Sequence, residues 1–404
     1  MMEKTVFSGI RVLDFSNNVA GPCCASLLAD MGAEVIKIER PVAGDDSRAI
    51  MPRVEGQSLT FMWTNRGKKS VELDLHDPEA IALIKRMIAD ADVIVESFKP
   101  GQMKKFGLDY DSVHPLKPSL VYCSISACGQ TGAYAKKPGF DIIAQGMSGL
   151  MDLAGDPDDA PVKQGVTIGD YVGSLNAYGA VVTALYYSRA TGIGQYIDIS
   201  LLDGLISCNT TLDNAATNGA HPTRSGPHHA TMAPYGVYSG ANGQSVIIAA
   251  YTASMWKRLC AAMDQPKLET DPRFNTIPQR VKNLKELVNT IEAWLKTFDD
   301  VQIAIDKMEA NNVACCKVRS TYEVANDPVL WERGSLVELP TAPSFHEHKT
   351  VRTRGPLARY SETPAQLRCA PDLGQHNIEI LTHYGWDEQK IQEMEEKWAN
   401  KLKK

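Results

Sequence analysis

The 404-residue sequence lacks the features that mark membrane, secreted and nucleic-acid-binding proteins. No stretch approaches about 20 uninterrupted apolar residues, so we expect neither a membrane span nor a membrane partner. Residues 1–9 do not have the charged-then-apolar layout of a signal peptide, and we therefore expect a cytoplasmic protein. A net charge of −6 gives no electrostatic footprint for nucleic acid, so local basic side chains must hold any anionic ligand.

Several motifs that bind cofactors or carry catalysis are also missing. The sequence has neither the glycine fingerprint of dinucleotide sites nor a Walker A motif, and it has no G-x-S-x-G elbow. The nine cysteines include no C-x-x-C pair, which indicates reduced cytosolic thiols rather than a disulfide framework. The adjacent His228 and His229 have no cysteine or acid at metal-ligand spacing, so we predict no metal site.

Short apolar runs alternate with helical patterns over the first 200 residues. The runs predict strands at 10–15, 34–38, 71–75, 92–96, 120–125 and 196–200. Helical patterns occupy 22–31 and 171–189. A third helix is predicted to begin after Asp77, which is followed by Pro78 at the first helical position. This alternation predicts an α/β fold with a parallel, doubly wound sheet.

The pattern changes from about residue 225, which suggests a second structural unit. We predict that residues 1–200 form the N-terminal part of a large domain, that 201–224 are a linker, and that 225–328 form a smaller α+β domain. Residues 329–404 then read as a return linker followed by the C-terminal part of the large domain.

Asp170 stands where a glycine-containing loop, residues 165–169, turns into the long helix. The partial positive charge of a helix N-terminus stabilises a carboxylate, and aspartate is also a favoured helix cap. Asp170 could therefore be a simple cap or a carboxylate nucleophile for acyl transfer, and its position alone leaves both interpretations open.

Basic residues follow three of the predicted strands. They are Arg40, then Lys99, Lys104 and Lys105, then Lys136 and Lys137. Ligands of doubly wound sheets bind outside the carboxyl ends of the strands, so these side chains suit a ligand with several phosphates. Solvated loop lysines are the ordinary alternative, and the sequence leaves both interpretations open.

Taken together and in order, several segments resemble the class III CoA-transferase family, which includes formyl-CoA and carnitine CoA-transferases. The matching stretches are LDF at 13–15, AGP at 20–22, GAEVIKIER at 32–40, KSVELD at 69–74, DVIVESF at 92–98, GD at 169–170, TG at 191–192 and GQ at 194–195. The later DPRF at 271–274 and LGQH at 373–376 match more loosely.

The resemblance implies a Rossmann-like large domain, a small middle domain and a homodimer whose two subunits interlock like linked rings. It implies that Asp170 is the catalytic acid. The CoA contacts it implies are Val19, Ala20, Arg40, Leu73, Asp74, Ser97, Phe98, Lys105 and Lys137. Lys105 stands where relatives often have arginine. A lysine can neutralise the charge of a phosphate, but it cannot bind the phosphate through two parallel N–H groups as arginine does. No tightly bound cofactor is implied, because the acyl-CoA is itself the substrate.

The implied reaction moves CoA from an acyl-CoA donor to a free carboxylic acid. Asp170 attacks the thioester to give a mixed anhydride, and the released CoA thiolate converts the aspartyl group into an enzyme–CoA thioester. An acceptor acid then reverses these steps, which preserves the thioester energy without ATP. The resemblance leaves the acids open among dicarboxylates, carnitine-like acids and hydroxy or aromatic acids. Formyl or oxalate specificity is in doubt, because 227–243 has no run of glycines.

Three other functions fit parts of the sequence. An α-methylacyl-CoA racemase shares the fold but carries a histidine before the acid that corresponds to Asp141, where this chain has Phe140, which cannot transfer a proton. A nucleotide-dependent oxidoreductase is disfavoured by the missing glycine fingerprint. A non-catalytic CoA-binding protein is disfavoured by the intact pair of Gly169 and Asp170.

Overall fold

The computed structural model describes residues 5–401. The strands of that part of the chain are β1 Arg11–Asp14, β2 Glu34–Glu39, β3 Arg53–Val54, β4 Gln57–Ser58, β5 Lys69–Glu72, β6 Val93–Glu96, β7 Val121–Ser126, β8 Gln195–Ser200, β9 Tyr235–Ser239, β10 Ser245–Ala249, β11 Ala314–Lys317, β12 Leu336–Pro340 and β13 Thr350–Arg354. The α-helices are α1 Ala20–Asp30, α2 Leu59–Thr64, α3 Pro78–Asp90, α4 Gln102–Phe106, α5 Tyr110–Val113, α6 Asp141–Met147, α7 Leu150–Leu153, α8 Ile168–Thr191, α9 Leu201–Ser207, α10 Leu212–Asn218, α11 Ala253–Ala262, α12 Ile277–Lys282, α13 Leu284–Leu295, α14 Val301–Ala310, α15 Thr321–Ala325, α16 Pro328–Glu332, α17 Asn377–His383 and α18 Glu388–Lys401.

The chain forms two compact units. The first contains the described residues up to Leu150, then Gln164–Leu212, and the described residues from Val329 onward. The second contains Met151–Lys163 and Asp213–Pro328.

A six-stranded sheet in the order β5-β2-β1-β6-β7-β8 forms the centre of the first unit. Every pair of neighbouring strands in it is parallel. The prediction of an α/β fold with a parallel sheet is therefore confirmed. Because the strands are parallel, their carboxyl ends share one edge, and the loops that follow them lie along that edge.

Each face of this sheet carries its own hydrophobic core. On β1, Leu13 packs into the core that includes α3, α17 and α18, whereas Val12 packs into the core that includes α1, α8 and α9. Alternate residues of a strand point to opposite faces, so one buried apolar run serves both cores. The helix α1 is buried along its whole length and packs against α8.

The second unit has a three-stranded antiparallel sheet in the order β11-β10-β9 with helices packed on it. Its core includes Trp256, Phe274 and Ile291. The guanidinium group of Arg280 is fully buried there and donates hydrogen bonds to three backbone carbonyl oxygens, those of Ala233, Tyr251 and Phe274.

One detail of the first unit differs from the sequence prediction. Strand β5 begins at Lys69 and ends at Glu72, earlier than the predicted 71–75, because its residues pair in register with β2 from Ile36 to Glu39. Helix α9 lies at the start of the predicted linker at 201–224, and its Leu201 and Leu205 are buried in the core beside α8. The predicted domain boundaries, including this linker, stay predictions. Among residues 5–401 no helix is both long and apolar enough to cross a bilayer.

Candidate active site

Asp170 is the third residue of α8 and lies in its first turn. Thr167, which precedes the helix, makes no capping hydrogen bond with its side chain. Among residues 5–401, no hydrogen bond or ion pair satisfies the Asp170 carboxylate either. A cap must accept a backbone N–H, so this geometry does not fit the simple capping interpretation of Asp170.

The start of α8 is held instead by a side chain from α6. Asp141, the first residue of α6, accepts the N–H of Gly169 at 2.6 Å and is 7% exposed. Its second oxygen accepts from Nε2 of Gln145 at 2.7 Å. The Oε1 atom of Gln145 accepts the N–H of Gln164 at 3.0 Å, in the loop that leads into α8. In the sequence Asp141 is notable only in the comparison with racemases, and no local pattern indicates this role.

Two forces act on the Asp170 carboxyl group. Burial and the nearby negative charge of Asp141 together raise the pKa of Asp170 to about 7. Both effects disfavour the ionised form, and they outweigh the helix N-terminus that favours it. A carboxylate with a raised pKa is more basic once it is ionised, which is a property of carboxylates that act as acids, bases or nucleophiles.

A guanidinium group lies beside the residue that follows Asp170. Nη1 of Arg354, at the end of β13, donates to the hydroxyl of Tyr171 at 2.8 Å. The same guanidinium stacks 4.4 Å from the ring centre of the buried Trp63. Within the described part of the chain Arg354 has no carboxylate partner. Arg354 was not predicted, because no local sequence pattern marks it.

A cavity of about 510 Å³ opens at the carboxyl ends of β2 and β5 in the first unit. Four of the predicted CoA contacts line it: Arg40, Leu73, Asp74 and Phe98. The side chains of Trp398 and Lys401, from the last helix, also line it. Lys401 pairs with Asp74 at 2.9 Å, so that carboxylate already has an intramolecular partner.

The other predicted CoA contacts do not line this cavity. Ser97 accepts the N–H of Asn17, which is itself a lining residue, at 2.9 Å. Val19 and Ala20 are buried where α1 begins. Lys105 and Lys137 are exposed, and the ammonium group of Lys137 lies 5.1 Å from the ring centre of Tyr134. The assignment of all nine residues to CoA stays a prediction.

A buried cluster of charges lies under the cavity. Lys37, which lines the cavity, pairs with Asp45 at 2.7 Å, and Lys68 pairs with Asp14 at 2.7 Å. Burial lowers the pKa of Lys68 to about 8. Asp14 also accepts the N–H of Ser16 at 2.9 Å, so the cluster fixes the loop that leads to α1. Lys68 therefore belongs to the interior.

Two of the lysines in the phosphate hypothesis face a different cavity. Lys99 and Lys104 line a space of about 450 Å³ together with Glu96, Tyr122 and Tyr196. Burial raises the pKa of Glu96 to about 7. The structure therefore does not bring the basic residues from all three strand ends into one site.

The histidine pair lies in the second unit. The His228 ring contacts that of Tyr238, with 5.0 Å between centres, and Nδ1 of His229 accepts the N–H of Thr231 at 3.1 Å. One group of possible metal ligands among residues 5–401 is Glu55 with Glu347 and His348. The backbone N–H groups of His346 and His348 donate to the Glu55 carboxylate at 2.6 and 2.7 Å, so that acid stabilises a turn.

The chain is similar to known proteins over nearly its whole length. The model of CoA-transferase family III matches residues 7–377. The succinate–glutarate CoA-transferase of Agrobacterium fabrum is 37% identical, with 94% of this chain and 96% of that protein covered. The succinyl-CoA–D-citramalate CoA-transferase of Chloroflexus aurantiacus is 34% identical, with 92% of each covered. The crystal structure of a CaiB/BaiF family protein from Brucella suis matches with a TM-score of 0.84 and 33% identity, covering 94% of this chain and 99% of that one.

Proposed function

The chain belongs to CoA-transferase family III and is a CoA-transferase, and from this premise we propose that Asp170 is the nucleophile that carries CoA from a donor to a free carboxylic acid. The observation that supports this role is the Asp170 carboxyl group itself. It is mostly buried in the first turn of α8, and its pKa is raised to about 7 by burial and by Asp141. Among residues 5–401 no side chain makes a hydrogen bond or an ion pair with this carboxyl group.

The proposed steps need no proton transfer. The Asp170 carboxylate attacks the thioester carbonyl, the C–S bond breaks, and the CoA thiolate leaves behind a mixed anhydride. The thiolate then attacks the aspartyl carbonyl and expels the donor acid as its carboxylate, which leaves an aspartyl–CoA thioester. The acceptor carboxylate attacks this thioester, which releases the CoA thiolate and forms a second mixed anhydride between Asp170 and the acceptor acid. The thiolate then attacks the acceptor acyl carbonyl of this anhydride, which gives the new acyl-CoA and restores the Asp170 carboxylate. Each step exchanges one anion for another, so Asp170 must be ionised but needs no partner acid or base.

We propose that the cavity of about 510 Å³ holds part of the CoA molecule. Its apolar walls, Leu73 and Phe98, suit an adenine ring, and the guanidinium group of Arg40 suits a phosphate. Ser97 would contribute through its contact with the lining residue Asn17, and Val19 and Ala20 through the first turn of α1. Lys105 and Lys137 are exposed and would contact phosphates at the surface.

We propose dicarboxylic acids as the substrates. The similar CoA-transferases of Agrobacterium fabrum and Chloroflexus aurantiacus are named for succinate, glutarate and D-citramalate, which all have two carboxyl groups. One carboxyl group forms the thioester, and the other needs a cation. Arg354 suits that task because its guanidinium is already stacked on Trp63, contacts the residue next to Asp170, and has no acid partner in the described part of the chain.

We propose, from the family resemblance, that two copies of the chain form an interlocked homodimer. Exposed apolar side chains along α8 and the edge strand β8 support an interface there. They are Leu175, Tyr186, Tyr187 and Tyr196. Monomeric proteins seldom leave so many aromatic and aliphatic groups in water on neighbouring elements. The cytoplasmic location stays a prediction.

The transfer is tested by mass spectrometry in deuterated buffer, with succinyl-CoA and a panel of free acids, comparing the wild type with Asp170→Asn. We expect CoA to move to new acids without deuterium at the α-carbon, and the variant to be inactive. An enzyme–CoA adduct on the peptide that contains Asp170 would identify the thioester intermediate.

The same experiment examines the racemase alternative. Deuterium at the α-carbon without CoA exchange would identify a racemase and would contradict the proposed transfer. The similar proteins do not favour this alternative, because those compared are CoA-transferases. Phe140, at the position where racemases carry histidine, is 74% exposed and has no titratable group.

A further inference from the structure

The first turn of α8 depends on a carboxylate from another helix. The first N–H groups of an α-helix have no partner within the helix, and a side chain just before it normally satisfies one of them. Thr167 does not do so. Asp141 supplies the missing acceptor from 28 residues away, at 2.6 Å from the N–H of Gly169.

The contact is close because residue 169 is glycine. A Cβ atom at this position would lie 2.8 Å from Oδ1 of Asp141 and 3.0 Å from Cδ1 of Leu205. The backbone next to Asp170 is therefore enclosed between α6 and α9. A displacement of Asp141 would move the residue to which Asp170 is directly bonded.

Gln145 extends the same support to the loop before the helix. It is 1% exposed, donates to Asp141 at 2.7 Å and accepts the N–H of Gln164 at 3.0 Å. Its Nε2 also lies 3.4 Å from the carbonyl oxygen of Val166. Two side chains of α6, one turn apart, thus hold both the loop and the helix start.

Asp141 receives two hydrogen bonds, and both come from N–H donors, which is the pattern of an ionised carboxylate. The elements that pack against α8 are α1, α6, α9, β7 and β8. Their titratable side chains are Cys23, Cys24, Asp30, Tyr122, Cys123, Asp141, Tyr196, Asp198 and Asp203. Of these, Asp141 is the one whose charge raises the pKa of Asp170.

We infer that Asp141 is a positioning residue for the transfer reaction, which holds Asp170 by capping α8 from α6 and keeps a negative charge beside it, with Gln145 as its support. This inference rests on the proposed role of Asp170 and extends it to a second acid. Asp141 itself forms no bond with substrate. Its effect is to fix the attacking oxygen and to make the ionised Asp170 more basic.

The test compares Asp141→Asn with the wild type in steady-state transfer from succinyl-CoA to glutarate between pH 5 and 9. Asparagine keeps the size of the side chain but removes its charge. Its NH₂ group cannot accept a hydrogen bond, so either the N–H of Gly169 or Nε2 of Gln145 loses its acceptor. We expect kcat to fall roughly 10- to 100-fold because the nucleophile is displaced, while KM changes less than about threefold. The acidic limb of kcat/KM, expected near pH 7 in the wild type, should move to lower pH by about 0.5–1 unit.

Asp387→Asn is the matched control. Asp387 accepts the N–H of Lys390 at 2.8 Å at the start of α18, so the substitution removes an acid from another helix start. We expect it to leave both kcat and the pH profile at wild-type values. A wild-type kcat and an unmoved acidic limb in Asp141→Asn would overturn the inference.

A further variant keeps the test decisive if Asp141→Asn does not fold. Gln145→Met keeps a side chain of similar volume at position 145 and leaves the charge of Asp141 in place. It removes the hydrogen bond by which Gln145 holds the N–H of Gln164 in the loop. We expect kcat to fall about fivefold or more without a shift of the acidic limb, and a wild-type kcat would overturn the inference. Asp170→Asn separates the two proposals. If it still transfers CoA, the proposed function is wrong, whereas an inactive Asp170→Asn beside a fully normal Asp141→Asn rejects only the role of Asp141.

Discussion

At the scale of single residues, the site is built around a carboxyl group that the fold does not stabilise. Asp170 is mostly buried beside a second acid, and in the described part of the chain it receives no hydrogen bond. Such a group lowers the stability of the folded state whenever it is ionised. A residue kept in this state at the start of a helix suits a nucleophile that must stay available for substrate.

The pH dependence of stability follows from the raised pKa of Asp170. In the folded protein the group keeps its proton up to about pH 7, whereas in the unfolded chain it loses it near pH 3.8. The stability that the protonated form contributes is therefore complete below pH 3.8 and is lost as the pH rises through 7. We expect Asp170→Asn to be more stable than the wild type at pH 8, by at most about 4 kcal/mol, and the gain to shrink toward pH 4.

Denaturant unfolding of both proteins at several pH values measures this difference. Asp387→Asn serves as the control, since it removes an acid that accepts a backbone N–H, and it should show no gain at pH 8. A gain in Asp170→Asn that is equal at pH 5 and pH 8 would mean that the carboxyl group titrates normally.

Arg354 carries the residue-scale prediction about substrates. Replacing it with glutamine should raise KM for glutarate roughly 10- to 100-fold, because a charge-assisted hydrogen bond to the second carboxylate contributes about 1.5–3 kcal/mol. Butyrate, which lacks that carboxylate, should be used as before. Initial rates with the two acceptors measure the effect.

Arg352 offers a matched control on the same strand. Its guanidinium already faces Glu338 at 3.4 Å, so Arg352→Gln should leave KM for both acids unchanged. If Arg354→Gln impairs glutarate and butyrate equally, Arg354 supports the structure near Tyr171 and does not select dicarboxylates.

At the scale of elements, α8 depends on its neighbours at one end and on its own sequence at the other. Its first turn is held by α6, whereas its last residue is followed by Gly192, whose positive φ of 76° ends the helix in the usual way. The end that carries Asp170 is thus the end whose geometry other elements determine. The contrast with α3 is clear, since Asp77 directly before that helix accepts the N–H of Glu79.

Two glycines of α8 test this view. Gly169→Ala should reduce transfer roughly 10- to 100-fold and destabilise the protein, because the new methyl group would meet Asp141 and Leu205. At Gly179 of the same helix, a Cβ atom would have no neighbour within 4 Å. Gly179→Ala should therefore keep full activity and raise the free energy of unfolding by about 0.5–1 kcal/mol.

Transfer rates and denaturant unfolding of the two variants decide the question. Full activity in Gly169→Ala would show that the backbone next to Asp170 has room to shift, and it would contradict the close approach of Asp141.

At the scale of the whole molecule, the six-stranded parallel sheet belongs to the unit that contains Asp170, and the second unit has a hydrophobic core of its own. The proposed homodimer would bury the exposed apolar groups of α8 and β8. We expect light scattering after size exclusion to give twice the 44.2 kDa of one chain.

A charged substitution in this surface should weaken the proposed dimer. Tyr186 is 81% exposed, and Tyr186→Arg should lower the mass at low protein concentration because a cation would be buried in the interface. Tyr322, on α15, is 78% exposed, and Tyr322→Arg should leave the mass unchanged. A wild-type mass equal to that of one chain would contradict the predicted homodimer.

The sequence by itself determined the class of fold and the place of the central acid. Alternating apolar runs and helical patterns are local signals, and they predicted the parallel sheet because each strand and helix reports its own burial. The position of Asp170 at a helix start was equally local. The ordered set of short segments indicated the family, which the comparisons confirmed.

Only the tertiary structure decided what surrounds that acid. Asp141 reaches Gly169 across 28 residues and Arg354 reaches Tyr171 across 183, and neither pair leaves a periodic trace in the sequence. The cavity is likewise lined by Trp398 and Lys401 from the last helix. Local patterns record which face of an element is buried, whereas a site depends on which distant elements meet, and packing alone determines that.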